Sequence, residues 1–150
     1  MRVVVQRVAR ASLKIDGEPA GEIGPGLVVL AGFRDADTDA ELDWMAQRVL
    51  GLRVFPDDAG NMNRSLEEID GGVVVVPNFT LYGDCRKGRR PSFTDAARPE
   101  LASPLYERFL VRMRAGGLPV VAGSFGAHMH VELVNDGPVT LVIDRENGSP

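Results

Sequence analysis

A run of four valines that ends in a proline sets the strongest constraint on the fold of this chain. Val73 to Val76 are β-branched and apolar throughout, which is typical of a central strand buried on both faces. Pro77 follows directly, and a proline cannot donate a hydrogen bond to a neighbouring strand. We therefore expect sheet pairing to be interrupted at Pro77, by a bulge or by the end of the strand.

The segment after the valines, Pro77-Asn78-Phe79-Thr80-Leu81, is the first candidate site. Interrupted backbone leaves N–H groups free, and free N–H groups are what an oxyanion-binding site requires. The alternative is a strand end that has no function, and the local sequence does not decide between the two.

Strand signals recur on both sides of this run. Apolar or alternating segments predict strands at Arg2 to Val8, Ser12 to Ile15, Gly21 to Ile23, Leu27 to Leu30, Val131 to Val134 and Val139 to Ile143. Turn residues separate them at Asp16-Gly17, Gly24-Pro25-Gly26 and Asn135-Asp136-Gly137-Pro138.

Two helices interrupt the strands. Thr38 and Glu41 form a capping-box pattern, and Leu42, Met45, Ala46 and Val49 follow at helical spacing. A second apolar stripe consists of Leu105, Tyr106, Phe109, Leu110 and Met113, with its start at Pro99 or Pro104. Many strands with two helices predict an α+β fold, a single domain over residues 1–150 in which the helices pack outside a curled or barrel-like sheet.

Composition indicates an ordinary globular chain in a reducing compartment. The apolar runs are far shorter than the ~20 residues that span a bilayer, and residues 1–10 do not have the apolar core of a signal peptide. Cys85 is the only cysteine and cannot form an internal disulfide. We expect a cytoplasmic protein that makes no membrane contact.

A basic cluster stands out against the formal net charge of −4. That charge argues against sequence-blind coating of nucleic acid, which rests on a basic surface. Arg86, Lys87, Arg89 and Arg90 nevertheless form a local cationic segment. It is either a solvated loop or a contact for phosphates.

Side chains suited to metal or nucleophilic chemistry are few. His128 and His130 share one face of a strand, but zinc requires three or four ligands and no third has motif spacing. Cys85 has no convincing catalytic partner, and no nucleotide-binding glycine motif or serine elbow is present. We expect neither metal nor cofactor.

Several motifs together resemble the D-aminoacyl-tRNA deacylase family from end to end. They are Val5-Gln6-Arg7-Val8, Phe79-Thr80-Leu81-Tyr82, Lys87-Gly88-Arg89-Arg90-Pro91-Ser92-Phe93, Phe125-Gly126-Ala127 and Asn135 to Thr140. The resemblance implies a β-barrel-like α+β homodimer that hydrolyses the ester between a D-amino acid, or glycine, and the terminal adenosine of tRNA. It implies no metal and no other cofactor.

The resemblance also implies a role for individual residues. Phe79 and Thr80 would form the reaction site. Pro77 and Asn78 would bind the substrate beside it, and Phe125 and Met129 would line the pocket. Gly137-Pro138 would enter from the partner subunit as a cis dipeptide held by Arg7, and Arg86, Lys87, Arg89 and Arg90 would contact tRNA.

One departure from the family pattern affects the mechanism. The family usually has Ser-Gln where this chain has Pro77-Asn78, so no hydroxyl is available at position 77. Backbone N–H groups near Phe79 and Thr80 would stabilise the oxyanion, and the resemblance implies that the substrate's ribose 2′-hydroxyl would activate the attacking water. Thr80 as the nucleophile is the alternative. Two other functions stay open: a non-catalytic tRNA-binding relative, or a metal-dependent hydrolase using His128 and His130.

Overall fold

The computed structural model describes residues 1–147. Its elements are β1 (Arg2–Ile15), β2 (Glu18–Ile23), β3 (Gly26–Gly32), α1 (Asp39–Leu50), β4 (Phe55–Pro56), β5 (Met62–Arg64), β6 (Gly72–Pro77), a 3₁₀ helix (Phe79–Tyr82), α2 (Pro99–Ala115), β7 (Val120–Ala122) and β8 (Met129–Asp144). No helix within residues 1–147 is long and apolar enough to cross a membrane.

The six main strands form one curled sheet. The strand order is β2-β1-β3-β6-β7. β3 pairs with the first half of β1 and β2 with its second half, while β8 pairs with β1 along the opposite edge. β6 pairs in parallel with β3 and β7, and the remaining pairs of this sheet are antiparallel. The two terminal strands of this order, β2 and β7, approach each other: a Cβ added to Gly21 of β2 would lie 2.9 Å from Cγ2 of Val121 in β7. The sheet is thus nearly closed, which confirms the predicted α+β, barrel-like architecture.

Both predicted helices are present and cover the sheet. The capping box at α1 is complete, and the predicted apolar residues of α1 and α2 are buried in the core with Phe33, Val73 and Val75. α2 begins at Pro99, while Pro104 lies inside the helix. On the outer side, Arg112 of α2 bonds to Asp39 and Asp43 of α1.

The predicted turn at residues 135–138 is wrong. The predicted strands Val131 to Val134 and Val139 to Ile143 are one continuous strand, β8. β1 is also continuous from Arg2 to Ile15, so it offers a pairing partner along the whole length of β8. Between the pairs Gln6–Thr140 and Val8–Asn135, the four residues 136–139 stand opposite Arg7 alone. The Gly137-Pro138 segment is therefore a bulge inside a strand pair and does not connect two strands.

Glu41 gives a stability prediction. Its buried carboxylate accepts hydrogen bonds from the Thr38 backbone N–H (2.8 Å) and hydroxyl (2.6 Å), and the side-chain bond is the main cause of its lowered pKa. We expect Glu41→Gln to lower the free energy of unfolding by about 1 kcal/mol at pH 7 in urea denaturation.

The same contact has a pH signature. Because the pKa is lower in the folded protein, the stabilisation is present above the ordinary value of 4.5 and is lost as the pH falls below it. The difference between wild type and Glu41→Gln should shrink in that acid range. Glu67→Gln, at an exposed carboxylate, is the control, and an equal loss of stability in both variants would contradict the assignment.

Candidate active site

The chain leaves the sheet at the proline, as the sequence predicts. Pro77 is still in register with Ala31 of β3, and the Asn78 N–H donates to the Ala31 carbonyl at 2.8 Å. The backbone then turns into the 3₁₀ helix, which carries Phe79 and Thr80. The interruption is thus a strand end, and both residues project from the end of a buried central strand.

The two backbone donors in this helix differ in availability. The Thr80 N–H donates to Oδ1 of Asn78 at 3.2 Å, and the Thr80 hydroxyl donates to the same oxygen. Among residues 1–147, none accepts a hydrogen bond from the Phe79 N–H. The Asn78 side chain therefore caps the helix by accepting the Thr80 N–H. The N–H that stays free is that of Phe79.

An apolar cavity of about 370 Å³ opens beside this helix. It is lined by Pro77, Phe79, Phe93, Ala96, Ala97, Arg98, Pro99, Phe125 and Gly126. The rings of Phe79 and Phe93 meet edge to face, with centroids 5.1 Å apart, and Phe79 remains 53% exposed. Two adjoining exposed aromatic rings beside an apolar cavity form a surface suited to a ligand.

Phe125 and Met129 occupy different positions relative to the cavity. Phe125 is half-buried and lines it. Met129 is not among the lining residues. It packs against the core cluster that contains Val74 and Val76, and a Cβ added to Gly123 would lie 2.7 Å from Sδ of Met129 and 3.0 Å from Cδ of Pro77. Met129 and Pro77 thus both border Gly123, and only Pro77 lines the cavity.

The Gly137-Pro138 segment is held by hydrogen bonds within the chain and lies outside the cavity. The peptide bond is cis, as the resemblance implies. The Arg7 guanidinium donates from Nε to the Asp136 carbonyl (3.0 Å) and from Nη1 to the Val54 carbonyl (2.7 Å). Both Gly137 and Pro138 are exposed, and neither lines the cavity.

Asn135 fixes the bulge from its other side. Its side-chain oxygen accepts from the Val139 N–H at 3.1 Å, and its amide nitrogen donates to the Thr140 hydroxyl at 3.0 Å. The exposed dipeptide is therefore presented by a framework in which Arg7 and Asn135 restrain both flanks.

Arg2 makes contacts near the site that the sequence did not indicate. Its Nη1 donates to the Leu81 carbonyl of the 3₁₀ helix at 3.0 Å, and its Nε bonds to Asp144 at the end of β8 at 2.7 Å. Its guanidinium also lies over the Tyr82 ring, 5.2 Å from the centroid. Arg2 thus ties the helix that carries Phe79 to the strand that carries Gly137.

The basic cluster lies on a loop next to the cavity. A backbone bridge between Asp84 and Ser92 closes the loop, and Phe93 follows directly. The Arg86 guanidinium bonds to both oxygens of Asp84 (2.8 and 2.6 Å), which lowers the Asp84 pKa to about 2. Lys87, Arg89 and Arg90 are exposed, and no carboxylate within residues 1–147 pairs with any of these three. The loop therefore presents three free cations, and Arg86 is already paired.

The histidine pair does not form part of a larger cluster. The rings of His128 and His130 meet at a centroid distance of 4.8 Å, and both residues are exposed. In the part of the chain that the structure describes, no three or more His, Cys, Asp or Glu side chains are placed to hold one metal ion. Cys85 is exposed and free.

Comparisons with known proteins cover nearly the whole chain. The family model described as D-Tyr-tRNA(Tyr) deacylase matches residues 4–144. The chain is 58% identical to the D-aminoacyl-tRNA deacylase of Symbiobacterium thermophilum, over 97% of each chain. It is 52% identical to the D-aminoacyl-tRNA deacylase of Thermotoga petrophila, over 96% of this chain and 97% of the relative.

Two solved structures share the fold. A c-Myc DNA unwinding element binding protein superposes with a TM-score of 0.89 at 39% identity, covering 97% of this chain and 99% of its own. A probable eukaryotic D-amino acid tRNA deacylase superposes with a TM-score of 0.82 over 96% of this chain and 98% of its own. Its identity of 22% makes that likeness one of fold alone.

Proposed function

The chain belongs to the D-Tyr-tRNA(Tyr) deacylase family, and from this we infer that it is an enzyme that hydrolyses D-aminoacyl-tRNA to free D-amino acid and tRNA. The observation that carries a mechanism for this chain is the free Phe79 N–H beside an apolar, aromatic cavity. Such a site can stabilise an oxyanion and bind an apolar or planar group next to it.

We propose that the cavity takes the terminal adenosine of the acceptor end. Unpaired bases at the ends of RNA are bound by stacking on aromatic side chains. Phe79 and Phe93 offer exposed rings at the cavity, and Phe125 lines it as well. The ester on the ribose would then lie next to the 3₁₀ helix.

In the proposed reaction, a backbone N–H group stabilises the charge that develops on the substrate. A water molecule attacks the ester carbonyl, with its proton taken up through the ribose 2′-hydroxyl, and the carbonyl oxygen becomes an oxyanion that accepts from the Phe79 N–H. The bond to the ribose oxygen then breaks, and that oxygen takes the proton. Thr80 is a poor nucleophile here, because its hydroxyl donates to an amide oxygen, which is not basic enough to remove the proton.

The Thr80 N–H becomes a second donor only when the Asn78 side chain releases it. A hydrogen bond to a developing negative charge is stronger than one to a neutral amide oxygen, so the transition state favours that exchange. Asn78 would therefore hold the helix in the resting enzyme and release Thr80 during the reaction.

We propose that the partner subunit of a homodimer completes the site with its Gly137-Pro138 dipeptide. Within residues 1–147, β1 is the only strand that pairs with β8, and β8 exposes the apolar side chains of Val134, Leu141 and Val142. The rigid dipeptide would accept the α-amino group with its carbonyls and exclude any side chain in the L direction. Glycine, which has no side chain, would also be accepted. Exclusion of this kind enforces specificity by a clash with the wrong substrate.

The basic loop and the cellular location complete the proposal. Lys87, Arg89 and Arg90 would meet the phosphates of the acceptor stem, since the loop ends at Phe93 of the cavity. We place the enzyme in the cytoplasm, which suits its tRNA substrate and its single free cysteine.

The decisive test compares D-Tyr-tRNA and L-Tyr-tRNA as substrates of the purified protein. We expect hydrolysis of the D-form and of Gly-tRNA, little hydrolysis of the L-form, and unchanged rates in the presence of a chelator. Tight binding without turnover would instead favour a non-catalytic tRNA-binding protein. Loss of turnover in chelator would favour a metal-dependent hydrolase that uses His128 and His130.

The basic loop predicts a salt dependence of tRNA binding. We expect replacement of Lys87, Arg89 and Arg90 by Ala to reduce the slope of log affinity against log salt by about 2, on the basis of ~0.7–0.9 per phosphate contact. The control is Asp84→Asn combined with Arg86→Gln, which removes the internal pair without changing the net charge and should preserve the slope. Filter binding of tRNA from low to moderate salt measures the slope for both variants. A wild-type slope in the triple variant would show that the loop does not contact the phosphates of the bound tRNA.

A further inference from the structure

We propose that Arg98 binds the phosphate that links the terminal adenosine to the rest of the tRNA. This inference rests on the proposed function and assigns a role to a residue that the motifs do not include. Of the described residues that line the aromatic cavity, Arg98 is the one that carries a charge.

The backbone at Arg98 is fixed on both sides. The Ala97 N–H donates to the Phe33 carbonyl at 2.8 Å, and the Arg98 carbonyl accepts from the N–H groups of Leu101 (2.9 Å) and Ala102 (2.8 Å) at the start of α2. The residue is exposed while its Cα is anchored between the core and the helix. Arg98 thus contributes to the cavity lining from an anchored backbone position.

The Arg98 guanidinium has no bonding partner among residues 1–147. Within residues 1–147, no side chain or carbonyl forms a hydrogen bond or ion pair with its guanidinium. By contrast, Arg2 pairs with Asp144, and Arg7 bonds to two carbonyls. An anion bound at Arg98 would give this guanidinium a partner.

The chemistry of the expected ligand matches this position. A base in the apolar cavity must leave its 5′-phosphate outside the aromatic walls, because a phosphate is not desolvated there without a partner. A guanidinium binds a phosphate through two parallel hydrogen bonds. The aromatic rings and Arg98 together therefore select a nucleotide whose phosphate lies at the mouth of the cavity.

The test compares substrates with and without that phosphate. Wild type, Arg98→Ala and Arg98→Lys are assayed with D-Tyr-tRNA, with 3′-O-D-tyrosyl-adenosine and with the 5′-monophosphate of the same ester. We expect Arg98→Ala to raise KM about 10- to 100-fold for the two substrates that carry the phosphate, with little change in kcat. KM for the phosphate-free adenosine ester should be unchanged, and Arg98→Lys should restore part of the loss.

Arg114→Ala is the matched control, because Arg114 is an exposed arginine at the other end of the same helix. It should leave KM unchanged for all three substrates. Equal KM values of wild type and Arg98→Ala on the tRNA and the 5′-monophosphate would overturn the inference, as would an equal rise on all three substrates, which indicates a change of cavity shape. If wild type hydrolyses none of the substrates, the proposed function fails, and this inference fails with it.

Discussion

Phe79→Pro should lower kcat by about 10²–10³-fold relative to Phe79→Ala, which is the effect typical of losing one oxyanion donor. Proline removes the N–H that has no acceptor within residues 1–147, and alanine keeps it. Both variants lose the ring, so their difference isolates the backbone donor. Single-turnover hydrolysis of D-Tyr-tRNA measures the chemical step directly.

The backbone is suited to this substitution. Residue 79 is the first residue of the 3₁₀ helix, where the helix needs no N–H and where proline is favoured. Asn78 before it is extended (φ −147°, ψ 94°), as residues that precede a proline are. The Phe79 side chain is exposed, so its loss leaves the core intact. Circular dichroism of both variants should match the wild type.

Thr80→Ala separates the main-chain scheme from a side-chain nucleophile. It keeps the Thr80 N–H and removes only the hydroxyl that donates to Asn78. We expect a loss of less than about 10-fold in kcat, in keeping with one neutral hydrogen bond. A folded Thr80→Ala protein with almost no turnover, or equal rates for Phe79→Pro and Phe79→Ala, would contradict the backbone mechanism.

The sequence was most informative where short-range chemistry decides structure. The capping box at Thr38 and Glu41 depends on residues three apart, and it forms as predicted. The end of β6 at Pro77 follows from one missing donor. In both cases the deciding atoms belong to neighbouring residues, so the pattern in the chain contains the answer.

The predictions failed where a distant partner decides. Asn135 to Pro138 has the composition of a turn, but the strand continues because β1 pairs with both flanks of the segment. The hydrogen bond of Arg2 to Leu81 and the contact between the rings of Phe79 and Phe93 likewise join residues that no local pattern connects. The free Phe79 N–H could be suspected from Pro77, but the occupation of Thr80 by Asn78 requires the folded geometry.

Gly137→Ala should abolish most of the activity, with a loss of at least ~10²-fold in kcat/KM, as expected from displacing a positioning group by about 1 Å. Gly137 has φ of +131°, which L side chains rarely adopt. An added Cβ would lie 2.9 Å from Cγ2 of Val139 and 3.1 Å from Nη2 of Arg7. The dipeptide and the arginine that holds it would both have to move.

Gly60→Ala is the control for backbone strain without a clash. Gly60 has φ of +82°, and an added Cβ would meet nothing within 4 Å. We expect a stability loss of about 1 kcal/mol and wild-type activity from it. Urea denaturation and the D-Tyr-tRNA assay on both glycine variants separate lost folding from lost positioning. Wild-type turnover in a folded Gly137→Ala protein would remove the dipeptide from the site.

Mixing two inactive variants tests which subunit supplies the dipeptide. In a heterodimer of Phe79→Pro and Gly137→Ala, one site receives both changes and the other receives neither, provided that Gly137 comes from the partner. Co-refolding equal amounts should then restore about one quarter of wild-type activity, because half of the dimers are mixed and each has one intact site. If Gly137 served the cavity of its own subunit, every site would have one change and the mixture would stay inactive. Sedimentation of the mixture verifies that dimers form, and a monomeric wild type would exclude the shared site altogether.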